Sequence, residues 1–172
     1  MSFLRGINVG GRNIKMLDLR NSYESLGLLN VKTYLQSGNV RFDSQTNDPE
    51  LVEQSLEASI AETFNYPAKV FVYYFDYIEQ VVGRYPFDMS DERFHYYVIF
   101  TSDKMIAIEL VSLANESNND LEQIAYGDGV VYWKVLKGQT INSPFSKNLL
   151  KNSIKDFHTT RNIRTLTRII SP

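Results

Sequence analysis

Val31-Lys32-Thr33-Tyr34-Leu35-Gln36-Ser37-Gly38-Asn39-Val40-Arg41-Phe42-Asp43 decides how the chain is read. Val31 to Leu35 is a strand by its β-branched and aromatic content. Ser37-Gly38-Asn39 is a turn signal, and Val40 to Asp43 returns as a second strand. Upstream, Met16, Leu19, Tyr23 and Leu26 recur at helical spacing, and Gly27 stands where a helix C-cap is wanted. Ahead of them, residues 1–8 read as a strand and Gly10-Gly11-Arg12-Asn13 as a loop. Downstream, Asp48-Pro49 reads as N-cap and first helical residue. The helix behind it carries Val52, Leu56, Ile60 and Phe64 on one face, and Lys69 to Phe75 is an aromatic-rich strand. Strand, helix, strand, strand, helix, strand is the ferredoxin-like order βαββαβ.

The second half repeats the theme. Asp76 and Glu79 resemble a capping box for a short helix stopping at Gly83. Tyr85-Pro86-Phe87-Asp88 reads as a linker, dividing the chain into residues 1–84 and 85–172. Phe94 to Phe100 is a strand, and Ser102 or Asp103 caps the helix after it. Leu121 to Tyr126 and Val130 to Leu136 form a hairpin around Gly127-Asp128-Gly129. Ser143-Pro144 caps another helix, and a last helix runs from about Thr160 to Ile170. The expected architecture is α+β. It is a duplicated ferredoxin-like arrangement with antiparallel sheets, helices on one face and a C-terminal helical extension that is basic.

Composition sets the limits. The 172 residues are 43% hydrophobic and 22% charged, the balance of a globular protein. No cysteine is present, which excludes disulfides, thiolate nucleophiles, iron–sulfur clusters and cysteine-held zinc. With two histidines, no metal or other cofactor is expected. No apolar run is long enough to span a bilayer and Arg5 breaks the apolar start, so a cytoplasmic location without membrane contact is expected. The net charge of −2 hides an asymmetry. Residues 134–172 carry eight Lys and Arg against the single acid Asp156, and the rest of the chain is acidic. A basic tail folded onto an acidic body is the plain reading. An anion or nucleic-acid patch is the sharper one.

In the ferredoxin-like order the first and second strands are parallel, with the third between them. The loop from Asn8 to Lys15 and the Gln36-Ser37-Gly38-Asn39 turn should therefore share one sheet edge. Gly10 and Gly11 free backbone N–H groups ahead of a helix, an arrangement that favours an anion. Arg12 and Lys15 add positive charge, and Gln36, Ser37 and Asn39 add neutral hydrogen-bonding groups. The pattern is neither the dinucleotide fingerprint nor the phosphate loop. Turning the chain is the plainer explanation of both glycine-bearing segments.

Leu4-Arg5-Gly6-Ile7-Asn8-Val9-Gly10-Gly11, then Lys15-Met16, then Thr33 to Val40, resemble the domain-of-unknown-function 1697 family. Ser146-Lys147 and Thr159-Thr160-Arg161-Asn162 resemble its C-terminal motif, with Ile163 where the family usually has Trp. The resemblance implies the duplicated fold and points to these positions, many of them polar, but implies no activity. The expected ligand-binding set is Arg5, Asn8, Gly10, Gly11, Arg12, Lys15, Gln36, Ser37, Asn39, Lys147, Thr160, Arg161 and Asn162. Arg161, Arg164 and Arg168 fall on one helical face in this reading, and Thr159 or Thr160 caps that helix.

Three functional readings follow. The leading one is a module for a small anionic ligand, a nucleotide or phosphometabolite, in a pocket between the Gly-Gly loop, the Gln-Ser-Gly-Asn turn and the basic C-terminal helix. The alternatives are a nucleic-acid-binding module using the basic tail and a protein-interaction module using a sheet edge. No catalytic residue emerges, and the oligomeric state is open. His95 reads as a structural strand residue, and His158 as a proton donor only if phosphate binds beside it. Ser37 and Ser146 lack a nucleophile elbow. Tyr73, Tyr74 and Phe75 could stack on bases but lack the RNA-recognition motif.

Overall fold

Helix capping and strand alternation build the same topology twice. The computed structural model describes residues 1–7, 14–114, 118–151 and 153–171. They divide into two units, Met1–Tyr77 and Ile78–Pro172.

The first unit contains β1 (Ser2–Arg5), α1 (Met16–Ser25), β2 (Leu29–Tyr34), β3 (Asn39–Asp43), α2 (Pro49–Phe64) and β4 (Lys69–Val72). Its sheet has the order β2-β3-β1-β4, with every neighbouring pair antiparallel. Asp48 caps α2 by accepting from the N–H groups of Glu50 and Leu51, and Pro49 opens the helix. Gly27, just past α1, takes a φ of +78°, as a left-handed helix stop requires. Leu19 and Tyr23 of α1 and Val52, Leu56 and Ile60 of α2 share one core with Leu4, Val40, Phe42, Val70 and Val72 of the sheet. That core sits on one sheet face, because Ser2, Val40 and Val72 lie opposite one another and side chains alternate along each strand.

The outer edge of β4 is occupied by side chains. The N–H groups of Val70 and Val72 donate to Glu57 Oε1 at 2.9 Å and Glu53 Oε1 at 2.7 Å, both on α2. These carboxylates take the place of a fifth strand and blunt the edge.

Helix α3 (Phe75–Gly83) follows, and the division between the units falls inside it. Two details differ from expectation. The strand ends at Val72, not Phe75, and Asp76 lies inside the first turn of α3 where it cannot be the cap.

The second unit contains β5 (Phe94–Thr101), α4 (Lys104–Ser112), β6 (Glu122–Gly127), β7 (Val130–Leu136), α5 (Pro144–Leu149), β8 (His158–Asn162) and α6 (Ile163–Ile170). Its sheet order, β6-β7-β5-β8, is the order of the first sheet with each number raised by four. The duplicated ferredoxin-like arrangement is thus present, followed by a C-terminal helix. Asp103 caps α4 and Ser143 caps α5, with Pro144 opening it. Ala107 and Leu110 of α4 pack with Phe145 and Leu149 of α5 over Ile99, Val131, Trp133 and Val135.

The last helix is shorter than its spacing suggested. Residues 158–162 form β8, which pairs with β5 from Thr101↔His158 to Tyr97↔Asn162. The β-branched Thr159 and Thr160 suit a strand. Asn162 is the N-cap, its Oδ1 accepting from the Arg164 N–H at 2.9 Å. Thr159 and Thr160 therefore cap nothing, and Arg161 shares no helical stripe with Arg164 and Arg168.

Candidate functional site

The Gln-Ser-Gly-Asn turn is held against the end of β1. The ladder between β1 and β3 runs from Ser2↔Val40 to Phe3↔Asn39. One step further, the Leu4 N–H donates to the Gly38 carbonyl at 2.8 Å. Gly38 has a φ of +67°. A Cβ there would lie 2.6 Å from Ile7 Cγ2 and 2.8 Å from Leu4 Cβ, so only glycine fits. Gly6 is enclosed in a similar way. Its φ is +70° and a Cβ would lie 2.8 Å from the Tyr66 hydroxyl. Tyr66 Oη donates to the Arg5 carbonyl at 3.4 Å. Sequence reasoning missed Tyr66, because nothing local marks a contact 61 residues away.

The edge expected to carry the site thus has the turn beside the β1 terminus. Asn8, Gly10, Gly11 and Arg12 lie outside the described residues. Lys15, at the start of α1, is exposed and makes no capping bond through its side chain. Gln36 and Ser37 are exposed, while Asn39 is fully buried. Leu35, also exposed, holds a φ of +57°, a left-handed conformation that costs a residue with a Cβ about 1–2 kcal/mol. Asn39 Nδ2 donates to the Tyr34 carbonyl at 3.2 Å and to Ser37 Oγ at 2.7 Å. Its Oδ1 is buried and has no hydrogen-bond partner among the described residues.

The equivalent edge of the second unit is closed by its own groups. Two residues, Ser102 and Asp103, join β5 to α4, where ten residues, 6–15, join β1 to α1. Asp103 Oδ1 accepts from the N–H groups of Met105 and Ile106 at 2.7 and 3.1 Å. Lys104 and Asp128 pair at 2.6 Å across to the hairpin turn, and Thr101 Oγ1 lies 2.8 Å from the Gly129 carbonyl. No helix N-terminus is left open there.

Thr160 and Asn162 face one side of the second sheet and Arg161 the other. Residues paired across strands share a face. Thr160 lies opposite Ile99 and Asn162 opposite Tyr97, on the side that α4 and α5 cover. Arg161 lies opposite Val98, on the other side, with its Nη1 donating to the Thr160 carbonyl at 2.8 Å. The Oδ1 of Asn162 is committed to capping α6. Lys147 sits in the last turn of α5. Ser146 directs its buried hydroxyl at the carbonyls of Ile141 and Ser143. His158 is buried and its Nε2 lies 2.9 Å from the Leu149 carbonyl. His95 is half-buried, and burial lowers its pKa below the ordinary 6.5, with Lys137 adding to the effect.

Clefts are found at the opposite edge of the first unit. One of about 520 Å³ lies among Leu26, Leu28, Ser44, Thr46, Leu51 and Ser55. Another, of about 240 Å³, is lined by Phe42, Asp43, Asn47 and Tyr74 among others. Neither has a lysine or arginine in its lining. Among the described residues no group of three or more His, Asp or Glu could hold a metal, and no helix is long and apolar enough to cross a membrane.

A description of the family named "Protein of unknown function (DUF1697)" matches residues 1–132. The chain belongs to this family. The match includes Leu4–Gly11, Lys15-Met16 and Thr33–Val40, and ends ahead of Ser146-Lys147 and Thr159–Asn162. No curated protein matches the chain in sequence. Among solved structures, conserved bacterial protein SP0830 from Streptococcus pneumoniae is similar, with a TM-score of 0.76 and 24% identity. The similarity covers 98% of this chain and 94% of that one. At this identity the likeness speaks for the fold, and this DUF1697 chain shares it from end to end.

Proposed function

We propose that this DUF1697 protein binds a small anionic ligand, a nucleotide or a phosphorylated metabolite, at the edge of its first sheet. The ligand-facing groups are the Gly10-Gly11 segment with Asn8 and Arg12, the start of α1 at Lys15, and the turn carrying Gln36, Ser37 and Asn39. Arg5, at the end of β1, adds charge beside them. One observation carries this reading. The same topology occurs twice, but only the first copy joins its opening strand to its first helix by ten residues. Those residues are rich in glycine and polar groups, and the turn is anchored at Leu4, two positions ahead of them in the chain. The second copy does without that length, so folding alone does not require it. Loops longer than the fold needs are where binding groups concentrate. Backbone N–H groups at a glycine-bearing loop and a helix start favour negative charge.

The test is a thermal-shift titration of the intact chain with inorganic phosphate, AMP and a hexose phosphate, against chloride at matched ionic strength. Binding raises the melting temperature by mass action, by about 2.7 kcal/mol of added stability at a hundredfold excess over Kd. Lys15→Ala should reduce the shift without lowering the unliganded melting point. The absence of a shift with all three anions would refute the proposal.

A further inference from the structure

We infer that Ser37 is the hydrogen-bond donor this turn presents to its ligand, and that Asn39 is the positioning residue that points it outward. The inference rests on the anion-binding reading above and narrows it, because it commits the turn to a ligand group that accepts.

The argument follows hydrogen-bond direction through three groups. A backbone carbonyl can only accept, so the Asn39 atom facing the Tyr34 oxygen must be the amide nitrogen. This fixes the amide orientation, which at an isolated asparagine would be a choice between two. The same nitrogen faces Ser37 Oγ at 2.7 Å. Both amide hydrogens are thereby spent, and Ser37 Oγ is the acceptor of the second. A hydroxyl that accepts along one line must send its own proton along another. Ser37 is exposed, and its proton has no acceptor among the described residues.

The second observation is the cost carried by Asn39. Its Oδ1 is fully buried with no hydrogen-bond partner among the described residues. A buried, unsatisfied carbonyl is a rare state that proteins remove unless something holds it in place. Here the two amide bonds hold it. A valine at this strand position would leave no unpaired oxygen, but it could not orient Ser37. An outward O–H suits phosphate or carboxylate oxygen.

Calorimetry of the intact protein with inorganic phosphate and with AMP tests this, using Ser37→Ala, Ser37→Thr and Asn39→Asp. Ser37→Ala should weaken binding about tenfold and also lower the melting point, because one buried Asn39 amide hydrogen loses its acceptor, and Ser37→Thr should stay within threefold of the parent. Asn39→Asp replaces the amide donor by an acceptor, turns the Ser37 proton inward and should lose as much as Ser37→Ala. Exchange of the Asn39 side-chain amide protons, followed by NMR without ligand, reads the geometry separately and does not depend on how well Asn39→Asp folds. Both protons should be protected in the parent, and one should lose protection in Ser37→Ala. Parent-like phosphate binding by Ser37→Ala would overturn the donor role while leaving the anion site intact. Unchanged amide protection in Ser37→Ala would overturn the positioning role. Failure of the parent to bind either probe would remove the anion site itself, and the ligand-facing role with it.

Discussion

The N–H of Leu4 donates to the carbonyl of Gly38 across 2.8 Å, one step past the last paired residues of β1 and β3. The bond fixes a surface turn to a strand that runs through the core. It also explains why Gly38 cannot carry a side chain, since Leu4 and Ile7 occupy that space.

Gly38→Ala should destabilise the chain by about 2–4 kcal/mol, from left-handed backbone strain plus overpacking against Ile7 and Leu4. Gly27→Ala is the matched comparison. Its φ is similarly positive at +78°, but an added Cβ meets nothing within 4 Å. It should cost only the strain, about 1–2 kcal/mol. Urea denaturation measures both, and equal costs would refute the packing argument.

Glu53→Ala together with Glu57→Ala uncovers the N–H groups of Val70 and Val72 on the outer edge of β4. The expected loss is about 1–3 kcal/mol for each group left unpaired. An opened edge also pairs with other chains. Light scattering should therefore show concentration-dependent association in the double variant. A variant that loses stability yet stays monodisperse would mean the carboxylates brace the strand without guarding it.

Burial raises the Glu53 carboxyl above its ordinary 4.5, although the Val72 N–H and Lys69 pull the other way. The folded chain then binds this proton more tightly than the unfolded chain. Between 4.5 and the raised value the folded state holds more protons, so this group's contribution to stability falls as pH rises through that window. Glu53→Gln keeps an acceptor for Val72 and cannot titrate. The stability of the parent minus that of the variant should decline across the window. A pH-independent difference would contradict the shift.

Asn162→Ala should cost about 1 kcal/mol, the usual value for losing an N-cap, whereas Thr160→Ala removes no cap. His158→Ala should cost about 1–3 kcal/mol through its buried bond to Leu149 and leave phosphate binding unchanged. Denaturant midpoints check the stabilities. A binding loss confined to His158→Ala would return that residue to the site.

Much of the fold is legible in short stretches, because its signals are local. Asp48-Pro49, Asp103 and Ser143-Pro144 declare helix starts through hydrogen bonds to residues two or three positions on. Asp128-Gly129 declares a hairpin in the same way. β8 was hidden because His158–Asn162 has no apolar alternation of its own. Its partner is β5, some sixty residues earlier, and pairing at that distance leaves no local mark. Glu53 and Glu57 lie outside the apolar set Val52, Leu56, Ile60 and Phe64, and only the fold brings them to the backbone of β4. At the candidate site, Gly38 could be read as a turn residue, but the crowding by Leu4 and Ile7 could not. The direction of the Asn39 amide depends on the Tyr34 carbonyl, whose position no residue pattern encodes.

The repeated topology means that the chain carries its own control specimen. Its second sheet offers any probe the same strand arrangement with the long connection trimmed away and a salt link, Lys104 to Asp128, drawn across the gap. A reagent that marks both halves alike is sensing the architecture. One that marks only the first is sensing what was added to it.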